Sequence, residues 1–430
     1  MRVLLISFGS TGDIFPLIGY GKHLQQTGHH VRYATSPLYR AAIDRAGLEY
    51  VRLPPDWEKS IFIEFMRELN RAVSPLLQLR HIYEGAMPFM KDLLTKAEEA
   101  IADNTDAVVC SYFFPHIRYF AERHGAAFAT FAFCHNIVPT TARPPEPFPR
   151  LRGLPRPLQR RWNELAWRIG DWAVELALSG AAHQIAYNHS VPAHVSFLRA
   201  PAERCLVGVS PLFGEGFPSD DRFRYVGYQR WQSPASEEGE AVLEAFTGGE
   251  EVPVITFGSV AFDDVHRIMF RFVKNWPAGK KIIIQSGWAG LSLDRERPEI
   301  KLIGEMSHDR LFRYASMVVH HGGAGTTASV LYSGKPHIIV PHIADQHFWA
   351  SEICRKKVGK RLSKSRWPER LPRAVRRIER NPLYRQNSER VAARLKAEDP
   401  QNAVRELEKF VEEWQAKKPQ LPSPDKSRPV

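Results

Sequence analysis

Residues 318–334 read VVHHGGAGTTASVLYSG and place two histidines, three glycines and two threonines between an apolar run and a helix-like segment. Glycines in such a turn let backbone N–H groups approach a ligand, and the N-terminus of a helix attracts negative charge. His321 adds a hydrogen-bond donor, and Thr326 adds a hydroxyl. A tight turn alone needs neither paired histidines nor paired threonines, so the pattern favours a diphosphate site over a simple turn. The spacing does not match the Walker A pattern, which disfavours ATP hydrolysis.

Apolar runs that end in glycine, histidine or aspartate recur along the chain, as at strand ends in α/β sheets. The first half contains RVLLIS, a glycine turn, the helix-like IFPLIGYGKHLQQT, then HHVRYATS, DAVVCSYF and AAFATFAF. The second half contains VPVITFGSV, KKIIIQSGW, IKLIGEM, SMVVHHGGAGTT and PHIIVPHIADQ. The alternation of strand, turn and helix predicts an α/β protein with two doubly wound, Rossmann-like domains that face a cleft.

The length of 430 residues also favours two domains. A polar stretch at residues 228–240 predicts a linker, so we expect an N-terminal domain over residues 1–230 and a C-terminal domain over residues 231–400. Residues 401–430 contain an amphipathic helix, which is free to pack back on the N-terminal domain, and a tail predicted to be disordered. Residues 142–161 contain six prolines and are not expected to be regular. This segment is interpreted either as a surface loop or as a mobile wall of the acceptor pocket.

The formal net charge of +12 and the pI near 9.5 suit an anionic partner. The sequence shows no zinc-ligand spacing, aromatic RNA-binding motif or basic heptad region, so nucleic acid is not expected as a partner. The N-terminal apolar run is too short for a secretion signal, and no apolar run approaches the ~18 residues of a membrane span. A cytoplasmic protein is predicted, with peripheral contact to an anionic membrane where a lipid acceptor would lie. The four widely spaced cysteines predict free thiols: Cys110, Cys134, Cys205 and Cys354.

Asp345 and Gln346 follow the next strand and combine a carboxylate with a carboxamide, which suits adjacent sugar hydroxyls. With them, the stretch VVHHGGAGTTASVLYSGKPHIIVPHIADQHFWA resembles the donor-binding signature of the family 1 glycosyltransferases. Within that family it is most similar to the bacterial and fungal branch that glucosylates sterols and other lipophilic molecules. The resemblance is specific over residues 318–350 and weak over residues 50–220. It implies the GT-B fold, with the acceptor bound mainly by the first domain and the nucleotide sugar mainly by the second.

The resemblance also implies roles for individual residues. The segments SHDRLF, TFGS and GSTGDIFPLIG resemble further family motifs, although Ser307 and Thr11 stand where the family commonly has proline and arginine. Trp288 is open to two interpretations, a core residue or a nucleobase contact. The donor-binding residues implied on this basis are Ser10, Thr11, Ser259, Met306, His308, His321, Gly323, Gly325, Thr326, Asp345 and Gln346.

Asp13 is the predicted general base, since it matches the aspartate proposed for that role in this branch. It follows a glycine turn at the predicted carboxyl edge of the first sheet. An ordinary aspartate pKa of ~3.9 makes a weak base, so the role requires late proton transfer or burial. The alternative is that Asp13 caps the following helix, and both roles are compatible. Cys110 or Ser111 stands near the position where plant relatives have a supporting aspartate, so a histidine–aspartate pair is not indicated.

The predicted reaction is inverting transfer of glucose from UDP-glucose to a hydroxyl of a lipophilic small molecule such as a sterol, lipid or polyketide-like compound. No metal or other cofactor is expected, because helix dipoles and His321 are able to stabilise the leaving diphosphate. One alternative is transfer of rhamnose from dTDP-rhamnose to a hydroxy-fatty-acid lipid, which the N-terminal segment also resembles. Two others are a non-catalytic nucleotide-sugar-binding protein and a hydrolysing nucleotide-sugar epimerase. Acceptor-wall candidates are Phe62, Phe65, Trp162, Trp167 and Trp172, and further cleft candidates are His116 and His135.

Overall fold

Thirteen short strands in the described part of the chain form two parallel sheets. The computed structural model describes residues 1–417 except 73, 113, 135–136, 152, 194–195, 200, 215–219, 232–238, 259, 261, 263, 289, 294, 296 and 344. The strands of the first sheet are β1 (Arg2–Ile6), β2 (His30–Thr35), β3 (Glu49–Arg52), β4 (Ala107–Ser111), β5 (Ala127–Ala132), β6 (Arg204–Val207) and β7 (Phe223–Tyr225). Those of the second are β8 (Val252–Thr256), β9 (Ile282–Gln285), β10 (Ile300–Ile303), β11 (Ala315–His320), β12 (His337–Ile339) and β13 (Gly359–Arg361).

The two sheets share one topology. The first has the order β3-β2-β1-β4-β5-β6-β7, and the second has the order β10-β9-β8-β11-β12-β13. Each sheet therefore reverses its winding between two central strands, β1 and β4 in the first and β8 and β11 in the second. In doubly wound sheets, ligands bind at the carboxyl ends of the strands where the winding reverses. The α/β fold predicted from the sequence, with two Rossmann-like domains, is confirmed.

Helices cover both faces of each sheet and bury its apolar side chains. They are α1 (Thr11–Gln26), α2 (Arg40–Ala46), α3 (Lys59–Arg71), α4 (Pro75–Ala102), α5 (Ile117–Arg123), α6 (Arg156–His189), α7 (Glu240–Thr247), α8 (Val265–Asn275), α9 (His308–Leu311), α10 (Ala324–Ser333), α11 (Asp345–Arg355), α12 (Trp367–Glu379), α13 (Leu383–Lys396) and α14 (Asn402–Lys417). None of the helices in the described ranges is long and apolar enough to cross a bilayer.

The C-terminal helix α14 lies on the first sheet. Its apolar face joins the core around α1 and β5, and Phe410 within it is 3% exposed. The Tyr20 hydroxyl donates to the Ala403 carbonyl at 3.1 Å, and Arg204 forms an ion pair with Glu413 at 2.7 Å. The chain thus returns to its first domain after it completes the second. The predicted disordered tail, residues 419–430, lies outside the described residues, and the domain boundaries at residues 230 and 400 stay predictions.

Two expectations about connecting segments were wrong. The proline-rich segment is irregular only to Pro155, because α6 begins at Arg156. Pro157 lies in the first turn of that helix, where the missing N–H has no carbonyl partner to lose. The predicted linker is also shorter than expected, since Tyr228 is buried and Trp231 packs edge-on against Phe15 at 5.0 Å. The remainder of that predicted linker, residues 232–238, lies outside the described residues.

Candidate active site

A cavity of about 1040 Å³ lies between the two domains. Its walls include the turn after β1, the turn after β11, the N-terminus of α11 and an apolar region formed by α3, α4 and α6. Of the predicted site residues, all but Ser259 line this one cavity: Ser10, Thr11, Asp13, Met306, His308, His321, Gly323, Gly325, Thr326, Asp345 and Gln346. Ser259 lies outside the described residues. The structure thus brings these side chains together, while their roles stay predictions.

The turn after β1 holds Asp13 by a capping box at the start of α1. Helix α1 begins at Thr11, three residues earlier than the apolar pattern predicts, and its N-cap is Ser10. The Ser10 N–H donates to Asp13 Oδ2 at 2.8 Å, and the Ser10 hydroxyl donates to the same oxygen at 3.2 Å. Gly9 has a φ of +123°, and a Cβ there would lie 2.4 Å from Asp13 Oδ2. Glycine is therefore required where the carboxylate folds back over the turn.

The two oxygens of the Asp13 carboxylate have different surroundings. Oδ2 receives both bonds from Ser10, whereas Oδ1 makes no hydrogen bond to any residue in the described part of the chain. Burial raises the pKa of Asp13 to about 6, and the bonds from Ser10 lower it only in part. Capping and proton acceptance are therefore compatible on one side chain, because each uses a different oxygen. Among the described residues, no histidine contacts this carboxylate.

The turn after β11 presents an open helix N-terminus to the cavity. Helix α10 begins at Ala324, with Gly323 as its N-cap, and no side chain caps it. The Ala324 N–H interacts with the Asp345 carboxylate, and the next N–H groups of the first turn are available to a ligand, which suits an anion. Thr326 lies in the first turn of this helix, close to the helix start predicted from the sequence. Gly325 faces the other domain, since a Cβ there would lie 3.9 Å from the Gly12 Cα.

The two adjacent histidines of this turn have different environments. His320 is fully buried at the end of β11, where its Nε2 lies 3.0 Å from His337 Nδ1 and its Nδ1 accepts from the Gly322 N–H at 3.2 Å. His321 lines the cavity, and burial, with a smaller effect of His308, lowers its pKa to about 3. Its imidazole is thus neutral in the free protein and able to donate one N–H. Only one histidine of the pair is placed to contact a ligand.

Asp345 and Gln346 begin α11 and offer different groups to the cavity. Burial and then the charge of Asp13 raise the pKa of Asp345 to about 7, so the two carboxylates interact across the cleft. Gln346 Oε1 accepts from the backbone N–H groups of His342 and Ile343 at 2.8 and 3.2 Å. The Gln346 Nε2 makes no hydrogen bond to a described residue, so this side chain offers the cavity donors only.

Met306, His308 and Trp288 form another part of the cavity wall. His308 stacks on Phe312 at 4.9 Å, and burial lowers its pKa to about 4. The Met306 carbonyl accepts from Gln285 Nε2 at 2.7 Å. Trp288 lies in the cleft against the first domain, with its ring 5.7 Å from Phe62, which excludes the interpretation as a core residue.

Ser307 keeps the backbone shape that a proline would impose. It is the N-cap of α9, with a φ of −63°. Proline fixes φ near this value, so the difference from the family motif does not change the path of the loop.

Gly258, two residues after the end of β8, is a site residue that the sequence analysis did not identify. Its φ is +56°, and a Cβ there would lie 3.3 Å from His321 Cε1. The segment TFGS carries the signal, because the family resemblance implies a role for Ser259 there and the adjacent glycine lets His321 approach.

An apolar chamber occupies the first-domain side of the cavity. We define the chamber by Trp57, Phe62, Phe65, Met66, Leu69, Leu79, Phe114, Trp167 and Val174, all of which line it. Pro145 to Pro149 also line the cavity, so the proline-rich segment does form part of its wall. The prediction for Trp172 was wrong, since it is 61% exposed on the outer side of α6. Trp162 is not among the lining residues, and its Nε1 donates to the Pro149 carbonyl at 2.9 Å.

Of the two further histidine candidates, His116 does not line the cavity. His116 is buried, and burial lowers its pKa to about 4. His135 lies outside the described residues. All four cysteines are free thiols, as predicted, and Cys354 is exposed. Within the described ranges, no group of three or more histidine, cysteine, aspartate or glutamate side chains has the arrangement of a metal site. The expectation that no cofactor takes part stays a prediction.

Comparison with known proteins identifies the same two halves. Residues 3–96 match the model for the glycosyltransferase family 28 N-terminal domain. Residues 282–410 match the model for the erythromycin biosynthesis protein CIII-like C-terminal domain. The two models together match about half of the chain.

Full-length relatives and solved structures agree with these matches. A vancomycin aglycone glucosyltransferase of Amycolatopsis orientalis is 27% identical, over 84% of this chain and 85% of that protein. A sterol 3-beta-glucosyltransferase of Arabidopsis thaliana is 28% identical, over 84% of this chain and 59% of that protein. The crystal structure of the glycosyltransferase VinC in complex with dTDP superposes with a TM-score of 0.68 at 18% identity, over 96% of this chain and 100% of that chain. The family models, the relatives and the paired sheets lead to one conclusion: the chain belongs to the family 1 superfamily of GT-B glycosyltransferases.

Proposed function

We propose that this glycosyltransferase transfers glucose from UDP-glucose to a hydroxyl of a lipophilic small molecule, with inversion at the anomeric carbon. The observation that carries the proposal is the free Oδ1 of Asp13, on a carboxylate whose pKa burial raises to about 6. This residue lines the same cavity as the apolar chamber and the open N-terminus of α10. A base, a place for an apolar acceptor and a place for a diphosphate therefore meet in one cleft.

The reaction follows from that arrangement as a single displacement. The acceptor hydroxyl gives its proton to Asp13 Oδ1 while its oxygen attacks the anomeric carbon, and the bond from that carbon to the diphosphate oxygen breaks. The backbone N–H groups of α10 and the neutral His321 stabilise the negative charge on the departing UDP. The transition state resembles an oxocarbenium ion, as in glycoside chemistry generally. A carboxylate pKa near 6 makes Asp13 a stronger base than an ordinary aspartate.

Gln346 supports a hexose with intact hydroxyls in this site. Its Nε2 is the part of the carboxamide left to face the cavity, and it donates to a sugar oxygen when one is present. Asp345 beside it offers a carboxyl group, so two adjacent hydroxyls of one sugar can bind the Gln346 amide and the Asp345 carboxyl group. The printed names of the vancomycin and sterol relatives, both glucosyltransferases, favour the same sugar.

A dTDP-deoxysugar donor is the second candidate. It is favoured by the match of residues 282–410 to an erythromycin-biosynthesis model and by the dTDP bound to VinC. The acceptor would then again be a lipid or a natural product. The two donors differ in their sugar hydroxyls and in their nucleobase, and these groups would bind to different parts of the cavity.

Thermal stabilisation by UDP, UDP-glucose, dTDP, dTDP-rhamnose and NADH at equal concentration separates these candidates. A ligand that binds only the folded state raises the melting temperature according to its occupancy. Stabilisation by UDP and UDP-glucose supports the proposal, and a preference for the dTDP pair supports the second candidate. A response to NADH alone contradicts both.

Product analysis with radiolabelled donor and a panel of lipophilic alcohols then tests catalysis. Transfer to an acceptor with the opposite anomeric configuration is expected. Consumption of the donor without any acceptor would instead indicate a hydrolysing epimerase. Binding of donor without turnover for any member of the panel would favour a non-catalytic binding protein.

A further inference from the structure

Helix α6 is apolar on two opposite faces. Its inner face is buried in the first domain, and Trp167, Gly170 and Val174 line the cavity. Its other face carries a row of exposed side chains, which we call the outer stripe: Leu158 (47% exposed), Leu165 (49%), Ile169 (37%), Trp172 (61%) and Leu176 (60%). The spacings of seven, four, three and four residues place them on one side of the helix. Single exposed apolar residues need no explanation, but a continuous row of this size indicates a contact surface.

Positive charge is concentrated at the N-terminal end of the outer stripe. Residues 150–168 contain six arginines and one glutamate. Five of these arginines are described and exposed, and none of the five forms an ion pair with another described residue: Arg150, Arg156, Arg160, Arg161 and Arg168. Elsewhere in the chain, Arg80 and Arg385 pair with carboxylates, whereas Arg376 and Arg377 of α12 form no ion pair with a described residue. What distinguishes α6 is that its unpaired arginines lie beside an exposed apolar row. The partner of this surface is therefore expected to supply both apolar area and negative charge.

We infer that the outer stripe and its arginines dock the protein on the surface of an anionic lipid bilayer. Helices that lie in the plane of a bilayer combine an apolar row, an interfacial tryptophan and flanking basic residues, as α6 does. A second copy of this chain fits less well, because each copy carries a net charge of +12 and would bring more arginine rather than carboxylate.

The position of the outer stripe relates membrane docking to the acceptor chamber. The same helix carries the outer stripe on one side and lines the acceptor chamber on the other. A docked protein would therefore hold the chamber one helix away from the lipid phase in which a lipophilic acceptor dissolves. This consequence rests on the proposed function, whereas the docking itself does not.

Vesicle co-sedimentation of the full chain tests the inference. The probes are vesicles of phosphatidylcholine alone and of phosphatidylcholine mixed with phosphatidylglycerol. Binding to the mixed vesicles is expected to weaken about 30-fold in Arg161→Gln/Arg168→Gln, which changes the two exposed arginines that flank the stripe on α6, since each basic residue near an anionic surface contributes about 1 kcal/mol. The matched control is Arg376→Gln/Arg377→Gln, which changes two exposed arginines of α12 and should leave binding unchanged.

A second pair of variants tests the apolar part. Trp172→Gln/Leu176→Gln removes the two most exposed members of the outer stripe and should reduce binding to mixed vesicles at least tenfold, on the order expected for two partly inserted side chains. Phe270→Gln is the control, because Phe270 is 62% exposed but lies on α8 of the second domain. All four variants change only exposed residues, and the melting temperature shows whether each variant is folded.

The outcomes separate the docking from the proposed function. Selective loss of vesicle binding in the α6 variants, with unchanged stabilisation by donor nucleotide, supports the inference even if no acceptor is found. Equal binding by all variants, or no binding by the native chain, overturns it and leaves the proposed function intact. Sedimentation velocity supplies one more test. A dimer that Trp172→Gln/Leu176→Gln dissociates would show that the stripe covers a second copy and would also overturn the inference.

Discussion

Asp13→Asn should stabilise the protein above about pH 4 while it abolishes turnover. The asparagine Oδ1 can still accept the Ser10 N–H that closes the capping box, so the turn before α1 keeps its shape. What the substitution removes is an ionisable carboxylate that is buried at the cleft. Burial raises the pKa of Asp13 from 3.8 to about 6, which means that the folded protein resists the charged form that catalysis requires.

The magnitude follows from linkage between protonation and folding. A pKa that is higher in the folded state stabilises the protein fully below the unfolded value of 3.8, and this stabilisation is lost as the pH rises through about 6. At 1.36 kcal/mol for each pKa unit, the loss amounts to about 3 kcal/mol by pH 8. For a domain of this size, 1 kcal/mol changes the melting temperature by about 2–4 °C. The advantage of Asp13→Asn over the native chain should therefore grow by roughly 5–10 °C between pH 4 and pH 8.

Melting temperatures of both proteins across this pH range measure the effect. Asp221→Asn is the control for the loss of one carboxylate outside the cleft, because the Asp221 side chain is 92% exposed. Turnover of Asp13→Asn should fall by about 10²–10⁴-fold, the usual contribution of a general base, while stabilisation by donor nucleotide is retained. If the melting temperatures of Asp13→Asn and of the native chain changed with pH in parallel, the claim that burial raises the pKa of Asp13 would be refuted. Undiminished turnover would refute the assignment of the base.

Three further substitutions test other parts of the site. Gly323→Ala should weaken binding of the donor nucleotide, because a Cβ there would lie 2.4 Å from His321 Nε2. The loss should be at least tenfold, on the order of one or two lost hydrogen bonds, and isothermal titration calorimetry measures it. Gly304→Ala is the control that should leave binding unchanged, because a Cβ at Gly304 would meet no atom within 4 Å. Gln346→Glu keeps an acceptor for the backbone but removes the donor that faces the cavity, so kcat/KM for the nucleotide sugar should fall about 10- to 100-fold in steady-state kinetics. Asp345→Asn should remove the upper of two steps in the pH dependence of kcat/KM, near pH 7, and an unchanged profile would show that another group titrates there.

The fold and the polar half of the site could be predicted because their signals are local. A strand that ends in a glycine turn before a helix places its next polar residue at a sheet edge whatever the rest of the chain does. This is why Asp13 and His321 were correctly placed in one cleft. Their roles still rest on resemblance and await experiment.

The apolar half could not be predicted, because it depends on which face of a helix the fold buries. Trp167 and Trp172 look alike in the sequence, yet α6 turns the first into the chamber and the second to solvent. The distinction between His320 and His321 has the same origin. One residue ends the strand, where it contacts the buried His337, and the next enters the turn. Only the packing of the second sheet decides this, and no periodicity in the sequence reports it.

The cleft holds two carboxyl groups whose pKa values differ because their surroundings differ. Asp13 has a pKa of about 6 and Asp345 one of about 7, and the charge on Asp13 is part of what raises the second value. Between these two pKa values the pair holds one proton, mainly on Asp345. In that state Asp13 is able to accept the proton of the acceptor hydroxyl while the Asp345 carboxyl donates to a sugar oxygen. Full ionisation of both would add a second negative charge to a cleft that already receives a diphosphate. Burial thus makes Asp13 a stronger base and keeps Asp345 protonated to a higher pH. The same burial destabilises the folded protein when both carboxyl groups are ionised.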